Sequence, residues 1–166
     1  MIIRTDSSVN MGIGHVMRCL TLADELKKNG CNVTFISNSM LDAVKNLMHG
    51  KGYALCFLGS VNKIHENPLP QITDEINTKE NTDEDARQTN DIISFMRNKV
   101  DMLIVDHYGL DHKWESQMRS LVSSIIVIDD TADRKHDCDA LLDQNLYVNG
   151  AERYDNLVPS HCRKIL

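Results

Sequence analysis

Short apolar runs along the chain take turns with longer amphipathic stretches, and that pattern alone lays out most of its elements. Residues 1–4 are a β-rich run, followed by a polar loop up to Asn10. From 15 to 29, Val16, Cys19, Leu20, Ala23 and Leu26 recur at helical spacing and predict a helix with one apolar face. Lys27 and Lys28 suit its negative end, and Gly30 is placed to close it. A second strand is expected at 31–37, ending in the polar Ser37-Asn38-Ser39. A helix follows at 41–49, stopping near Gly50 and Gly52, and then a strand at 53–58.

The stretch 61–80 breaks this rhythm. It holds Pro68 and Pro70, few apolar residues and no period, which predicts a long surface loop. Asn81 or Thr82 opens a helix running to 98, with Asp83, Glu84 and Asp85 in the first turn, where carboxylates suit the helix dipole. Residues 100–105 are nearly all apolar, as a strand buried on both faces requires. The run ends in Asp106-His107-Tyr108-Gly109. A helix at 111–123, a strand at 125–128 ending in Asp129-Asp130, and a short strand near 140–142 complete the regular part. The closing Arg163-Lys164-Ile165-Leu166 reads as the start of a further element.

Strands alternating with helices through short connections predict an α/β fold, with a Rossmann-like parallel sheet and flanking helices, over a single domain at 1–166. Strands of a parallel sheet point their carboxyl ends the same way. Four polar endings are therefore expected along one edge: Asp6 to His15, Ser37 to Ser39, Asp106 to Tyr108, and Asp129 to Arg134.

Composition narrows the partners. The 166 residues carry a formal net charge of −6, which argues against a broad electrostatic footprint for nucleic acid. No apolar run reaches membrane-spanning length and no signal-peptide pattern opens the chain, so a membrane partner is not expected. The five cysteines are scattered and form no CxxC pair, so neither a disulfide framework nor a cysteine-based zinc site is suggested. A reducing cytoplasm fits these features.

Gly12-Ile13-Gly14-His15 follows a strand and opens a helix. Glycines at 12 and 14 allow close backbone approach, and a helix start offers unpaired N–H groups to an anion. The segment is neither GxGxxG, since Arg18 stands at the third position, nor a P-loop. His15 at this helix start has its charged form disfavoured by the dipole, which favours the neutral imidazole of a general base. A glycine turn with a solvated histidine is the competing reading. Asp106-His107-Tyr108 offers substrate hydrogen bonds or acid/base groups. The alternative is a strand-end turn in which Asp106 caps the next helix or binds loop amides. Asp129-Asp130 reads either as a metal ligand pair or as carboxylates on loop amides with Arg134 as counter-charge. The spacings match no metal motif, so no metal and no cofactor is expected.

The segments RTDSSVNMGIGHVMRCLTLADEL, VDHYGLDHKWE and IDDTADRKHDCDALLDQN, with the closing Val158-Pro159 and Cys162-Arg163-Lys164-Ile165-Leu166, resemble the UDP-2,4-diacetamido-2,4,6-trideoxy-β-L-altropyranose hydrolases of pseudaminic acid biosynthesis. The resemblance runs in order over almost the whole chain and is weakest at 61–80. It implies the N-terminal half of a GT-B architecture, in which two Rossmann-like domains face each other across a cleft. It implies loss of UDP from a nucleotide-linked sugar by attack of water at the anomeric carbon, with inversion and without a metal. The histidine after the glycines is the implied general base, here His15. Asp6 and Asn10 are candidates to orient the water or a sugar group, Gly12 and Gly14 to let the ligand approach, and His107 and Tyr108 to contact the acetamido sugar. The implied partners are a UDP-sugar and a C-terminal nucleotide-binding domain, in cis or in trans. Two other readings stay open: a GT-B glycosyltransferase or surface-polysaccharide protein, and a non-catalytic truncated or split binding domain.

Overall fold

In the computed structural model, the described residues are 1–59, 82–96, 99–148 and 150–166. The loop expected at 61–80, and the end of the helix expected to reach 98, lie outside them.

Seven strands form one sheet in the order β3-β2-β1-β4-β5-β6-β7, every pair parallel. They are β1 (Ile2–Thr5), β2 (Thr34–Ser37), β3 (Ala54–Phe57), β4 (Val100–Asp106), β5 (Val122–Ile128), β6 (Ala140–Leu142) and β7 (Arg163–Ile165). The helices are α1 (Gly14–Lys28), α2 (Asp42–Gly50), α3 (Thr82–Phe95) and α4 (His112–Met118). The α/β Rossmann-like expectation is met. The closing element begun at Arg163 is β7, which pairs with β6 from Ala140↔Arg163 to Leu142↔Ile165.

Side chains alternate across the sheet and build two cores. On β1, Ile3 joins Phe35, Ile104 and Ile128 under Val16, Leu20 and Ala23 of α1 and Val44 and Met48 of α2. Ile2 joins Ile36, Leu103, Val105 and Val127 under Ala86 and Ile93 of α3 and Trp114 and Met118 of α4. The apolar face read for α1 is the one it buries. Gly30, at φ +83, lets the chain turn back, and Cys31 N–H donates to Leu26 O at 3.0 Å.

The strand expected from 31 begins at Thr34, and the largest boundary difference lies between α4 and β5. The helix expected to reach 123 ends at Met118, and β5 starts at Val122. Met118, Leu121 and Val122 continue a helical apolar spacing, but Val122 pairs with Val100 across the β4–β5 ladder. Its tertiary partner overrides the local pattern. Asp111 is the N-cap of α4: its carboxylate accepts from Lys113 N–H at 2.9 Å and Trp114 N–H at 3.4 Å. Among the described residues no helix is long and apolar enough to cross a membrane.

Candidate active site

The strand order reverses between β1 and β4, and this is where a doubly wound sheet opens a crevice at its carboxyl edge. The register pairs Thr5 with Asp106. Asp106 follows the alternation of Ile104, so its side chain is sent to the α1 face. There it is fully buried and meets two residues one turn apart on α1. Its Oδ1 lies 2.5 Å from His15 Nδ1 and 2.6 Å from Arg18 Nη2, and its Oδ2 accepts from Arg18 Nε at 2.6 Å. Two lone pairs cannot face each other at 2.5 Å, so a carboxylate there requires the proton on Nδ1. In a neutral ring this leaves the lone pair on Nε2. Among the described residues no protein group hydrogen-bonds to it. Burial alone raises the Asp106 carboxyl, but the bonds from Arg18 and His15 outweigh it and hold the group below the usual carboxylate range.

His15 borders an open cleft of about 250 Å³, together with Met11, Gly14, Arg18, Tyr108, Asp130 and Gln144. The Tyr108 ring stands edge-on to His15, with centroids 4.3 Å apart, and fixes the plane of the imidazole. Partial burial and the neighbouring Asp130 carboxylate push the Tyr108 phenol up from its ordinary value. Arg18 spans the cleft floor, its Nη1 donating to Asp130 Oδ2 at 3.0 Å. Among the described lining residues Arg18 is the one cation, and two carboxylates hold it.

The glycine loop is built by hydrogen bonds within itself. Gly12 N–H donates to Ser8 O at 2.8 Å and Met11 N–H to Ser8 Oγ at 3.1 Å, with Gly12 at φ +79. Gly14 is the first residue of α1, and a Cβ there would meet nothing within 4 Å. Its bare backbone therefore answers no packing demand of the protein itself and faces the cleft. No side chain caps α1, so its first-turn amides point outward unbonded by a cap. Asn10 is exposed on the loop tip.

Asp6 and His107 lie on the far side of the β1 and β4 ends. Asp6 is buried and accepts from Arg4 through both of its oxygens, at 2.5 and 3.0 Å, from Ser37 Oγ at 2.9 Å and from Asn38 N–H at 2.7 Å. His107 Nδ1 accepts from Gly109 N–H at 3.0 Å, which leaves the ring proton on Nε2, 3.2 Å from Asp6 Oδ2. Both residues tie the strand ends together from within. Arg4 continues the knot to α3, reaching Asp85 Oδ2 at 2.5 Å. Burial alone raises the Asp6 carboxyl, but Arg4 and His107 more than reverse it, and it titrates well below the usual range.

The four polar endings thus converge as expected, in two groups. His15, Tyr108, Gly14 and Asp130 share the cleft, whereas Asp6, Ser37 and His107 brace the strands behind it. Asp129 turns away from the cleft and takes loop partners: Ala132 N–H at 2.9 Å, Thr131 Oγ1 at 2.8 Å and Arg134 Nη2 at 2.9 Å. Sequence reasoning did not single out Arg18, and it left Asp106 between a substrate-binding or acid/base group and a cap or loop anchor. Asp111 does the capping instead. The one sequence signal for Arg18 was its place one helical turn after His15.

No protein-family model matches the chain. It is similar to an uncharacterized protein of Methanocaldococcus jannaschii, 32% identical over 127 residues, covering 75% of this chain and 20% of that protein. It is also similar to the UDP-2,4-diacetamido-2,4,6-trideoxy-beta-L-altropyranose hydrolase of Campylobacter jejuni subsp. jejuni, 25% identical over 162 residues, which are 98% of this chain and 47% of that enzyme. The chain is a distant relative of a UDP-sugar hydrolase. It spans less than half the length of either relative.

Proposed function

We propose that this chain supplies the water-activating side of an inverting UDP-sugar hydrolase, with a diacetamido-trideoxy sugar as the group transferred to water. The observation that carries the reading is the His15–Asp106 pair, 2.5 Å apart and buried at the strand-order reversal, with Nε2 of His15 left to the cleft. A water at the cleft loses its proton to His15 Nε2 as its oxygen attacks the anomeric carbon. The bond from that carbon to the diphosphate oxygen breaks, and UDP departs with the electron pair. Asp106 accepts the Nδ1–H bond throughout and stabilises the imidazolium that forms.

Tyr108 at the rim and Asn10 on the loop tip are proposed to contact the sugar. The backbone at Gly12 and Gly14 is proposed to let it approach. Asp6 and His107 are proposed to serve the same site by holding the ends of β1 and β4. The diphosphate is assigned to a nucleotide-binding domain, in cis or in trans, that faces this edge in a GT-B arrangement. The engaged state of Arg18 supports that assignment, because the described cleft offers no uncommitted cation to a diphosphate. The proposed setting is a reducing cytoplasm and the proposed pathway pseudaminic acid biosynthesis.

Proton NMR of the sugar during the first turnovers, with chain and nucleotide-binding domain together, tests the reading. The expected first product has the anomeric configuration opposite to the substrate. A first product of retained configuration, or turnover only when an acceptor sugar or lipid replaces water, would overturn it. The latter outcome would identify a GT-B glycosyltransferase.

A further inference from the structure

Asp106 presents one buried carboxylate to two cation-capable partners. Arg18 holds both of its oxygens in a fork, Nε to Oδ2 and Nη2 to Oδ1, each at 2.6 Å. The third arm of the guanidinium reaches Asp130 at 3.0 Å and braces the fork against the end of β5. His15 Nδ1 meets the same Oδ1, and Arg18 Nη2 passes 3.1 Å from that nitrogen. Cys19 Sγ completes the shell, 3.4 Å from Oδ2. A carboxylate with no solvent contact needs a counter-charge. If Arg18 were absent, the group best placed to provide one would be His15, as imidazolium. A charged ring has no lone pair with which to take a proton from water.

We propose that Arg18 is a positioning residue: it is the counter-charge of Asp106, so that Asp106 can orient His15 without drawing a proton onto it. This rests on the reading of His15 as the base. The groups that face the His15 ring all enter the balance. They are Asp106 from β4, Tyr108 after β4, Arg18 and Cys19 from α1, and Asp130 after β5 through Arg18. The start of α1 adds its own bias against a charged ring. The fork geometry matters, because an ammonium cannot hold both carboxylate oxygens in one plane.

The test follows the His15 ring resonances of the isotope-labelled chain from about pH 5 to pH 9, in wild type, Arg18→Met, Arg18→Lys and Asp130→Asn. Removing a cation this close is expected to move the His15 titration midpoint up by about one to two pH units in Arg18→Met. Arg18→Lys shifts it less, in the same direction, whereas Asp130→Asn, which removes a carboxylate and leaves the Arg18 cation in place, does not raise it. In turnover, kcat of Arg18→Met at neutral pH is expected to fall by up to about 10–100-fold, the most that a midpoint raised by about one to two units takes from the neutral fraction. KM stays unchanged, and the deficit closes at high pH. An unmoved midpoint in Arg18→Met overturns the proposal, as does a loss expressed in KM alone at every pH, which would make Arg18 a substrate-binding group. Should Arg18→Met fail to fold, the midpoint of Arg18→Lys decides the matter, a raised value supporting the proposal and an unmoved one overturning it. The resonances need no turnover. A shifted midpoint in a chain that hydrolyses no UDP-sugar would keep Arg18 in this role and reject the hydrolase reading.

Discussion

The carboxylate of Asp106 joins a strand end, a helix start and, through Arg18, a second strand end. Its substitution separates orientation from folding. Asp106→Asn keeps the shape of the side chain but loses the charge that fixes the Nδ1–H tautomer. The expected loss in kcat is on the order of 10⁴-fold, the scale seen when a catalytic histidine loses its carboxylate partner. Steady-state kinetics on UDP release checks this, with circular dichroism to show that the fold persists. Arg4 and Asp6 make a buried ion pair that ties the end of β1 to α3 through Asp85. Arg4→Met leaves Asp6 buried without its main counter-charge and is expected to cost about 3–5 kcal/mol in urea unfolding. The lowered titration of Asp6 sets the pH window. Its contribution is complete above the unfolded-state value of about pH 4 and is lost progressively as pH falls toward the native value. The stability gap between wild type and Asp6→Asn should therefore be full at neutral pH and narrow below about pH 4. A gap that widens on acidification would contradict the assigned charge state. Of this residue-level picture, His15 was legible in the sequence because glycine loop, histidine and helix start are neighbours in the chain. Its partner was not. Asp106 is 91 positions away, and only the β1–β4 register brings it under α1.

At the scale of elements, α3 and α4 share an apolar core and one hydrogen bond over the β1–β4 face. Trp114, the sole tryptophan, is buried, and its Nε1–H donates to Asp85 Oδ1 at 2.8 Å on α3. Asp85 is also the outer partner of Arg4, so helix docking and the strand-end knot share a carboxylate. Trp114→Phe keeps most of the apolar contact and loses that bond, for an expected cost of about 1–3 kcal/mol. Wild-type tryptophan emission should be blue-shifted and should move to the red in a single urea transition that coincides with circular dichroism. Separate transitions would mean that α4 docks independently of the sheet. Central β4 was plain in the sequence because a strand covered on both faces needs an unbroken apolar run. The start of β5 was not. Helical spacing at Met118, Leu121 and Val122 competed with pairing to Val100, and pairing is invisible until the sheet order is known.

The whole molecule is a sheet whose strand order opens a crevice at the β1–β4 reversal, and several of the exposed apolar residues follow strand ends on that edge. Val9, Ile13 and Met17 stand on the glycine loop and first turns of α1, Tyr108 follows β4, and Leu146 and Val148 follow β6. Such a rim beside a polar floor suits a face that another domain covers. The 166-residue chain alone is accordingly expected to turn over UDP-sugar far more slowly than the chain joined to a nucleotide-binding domain. Equal rates would remove the need for that partner. The parallel fold could be read from alternating elements, whereas the division of the polar edge into a cleft and a brace depended on which way each strand-end side chain points. The most direct measurement is phosphorus NMR of UDP release by the joined protein, comparing wild type with His15→Gln. The account predicts steady release of UDP by the wild type and a loss of at least about 10²-fold in the variant, the range for removing a general base. Undiminished release by His15→Gln would contradict it.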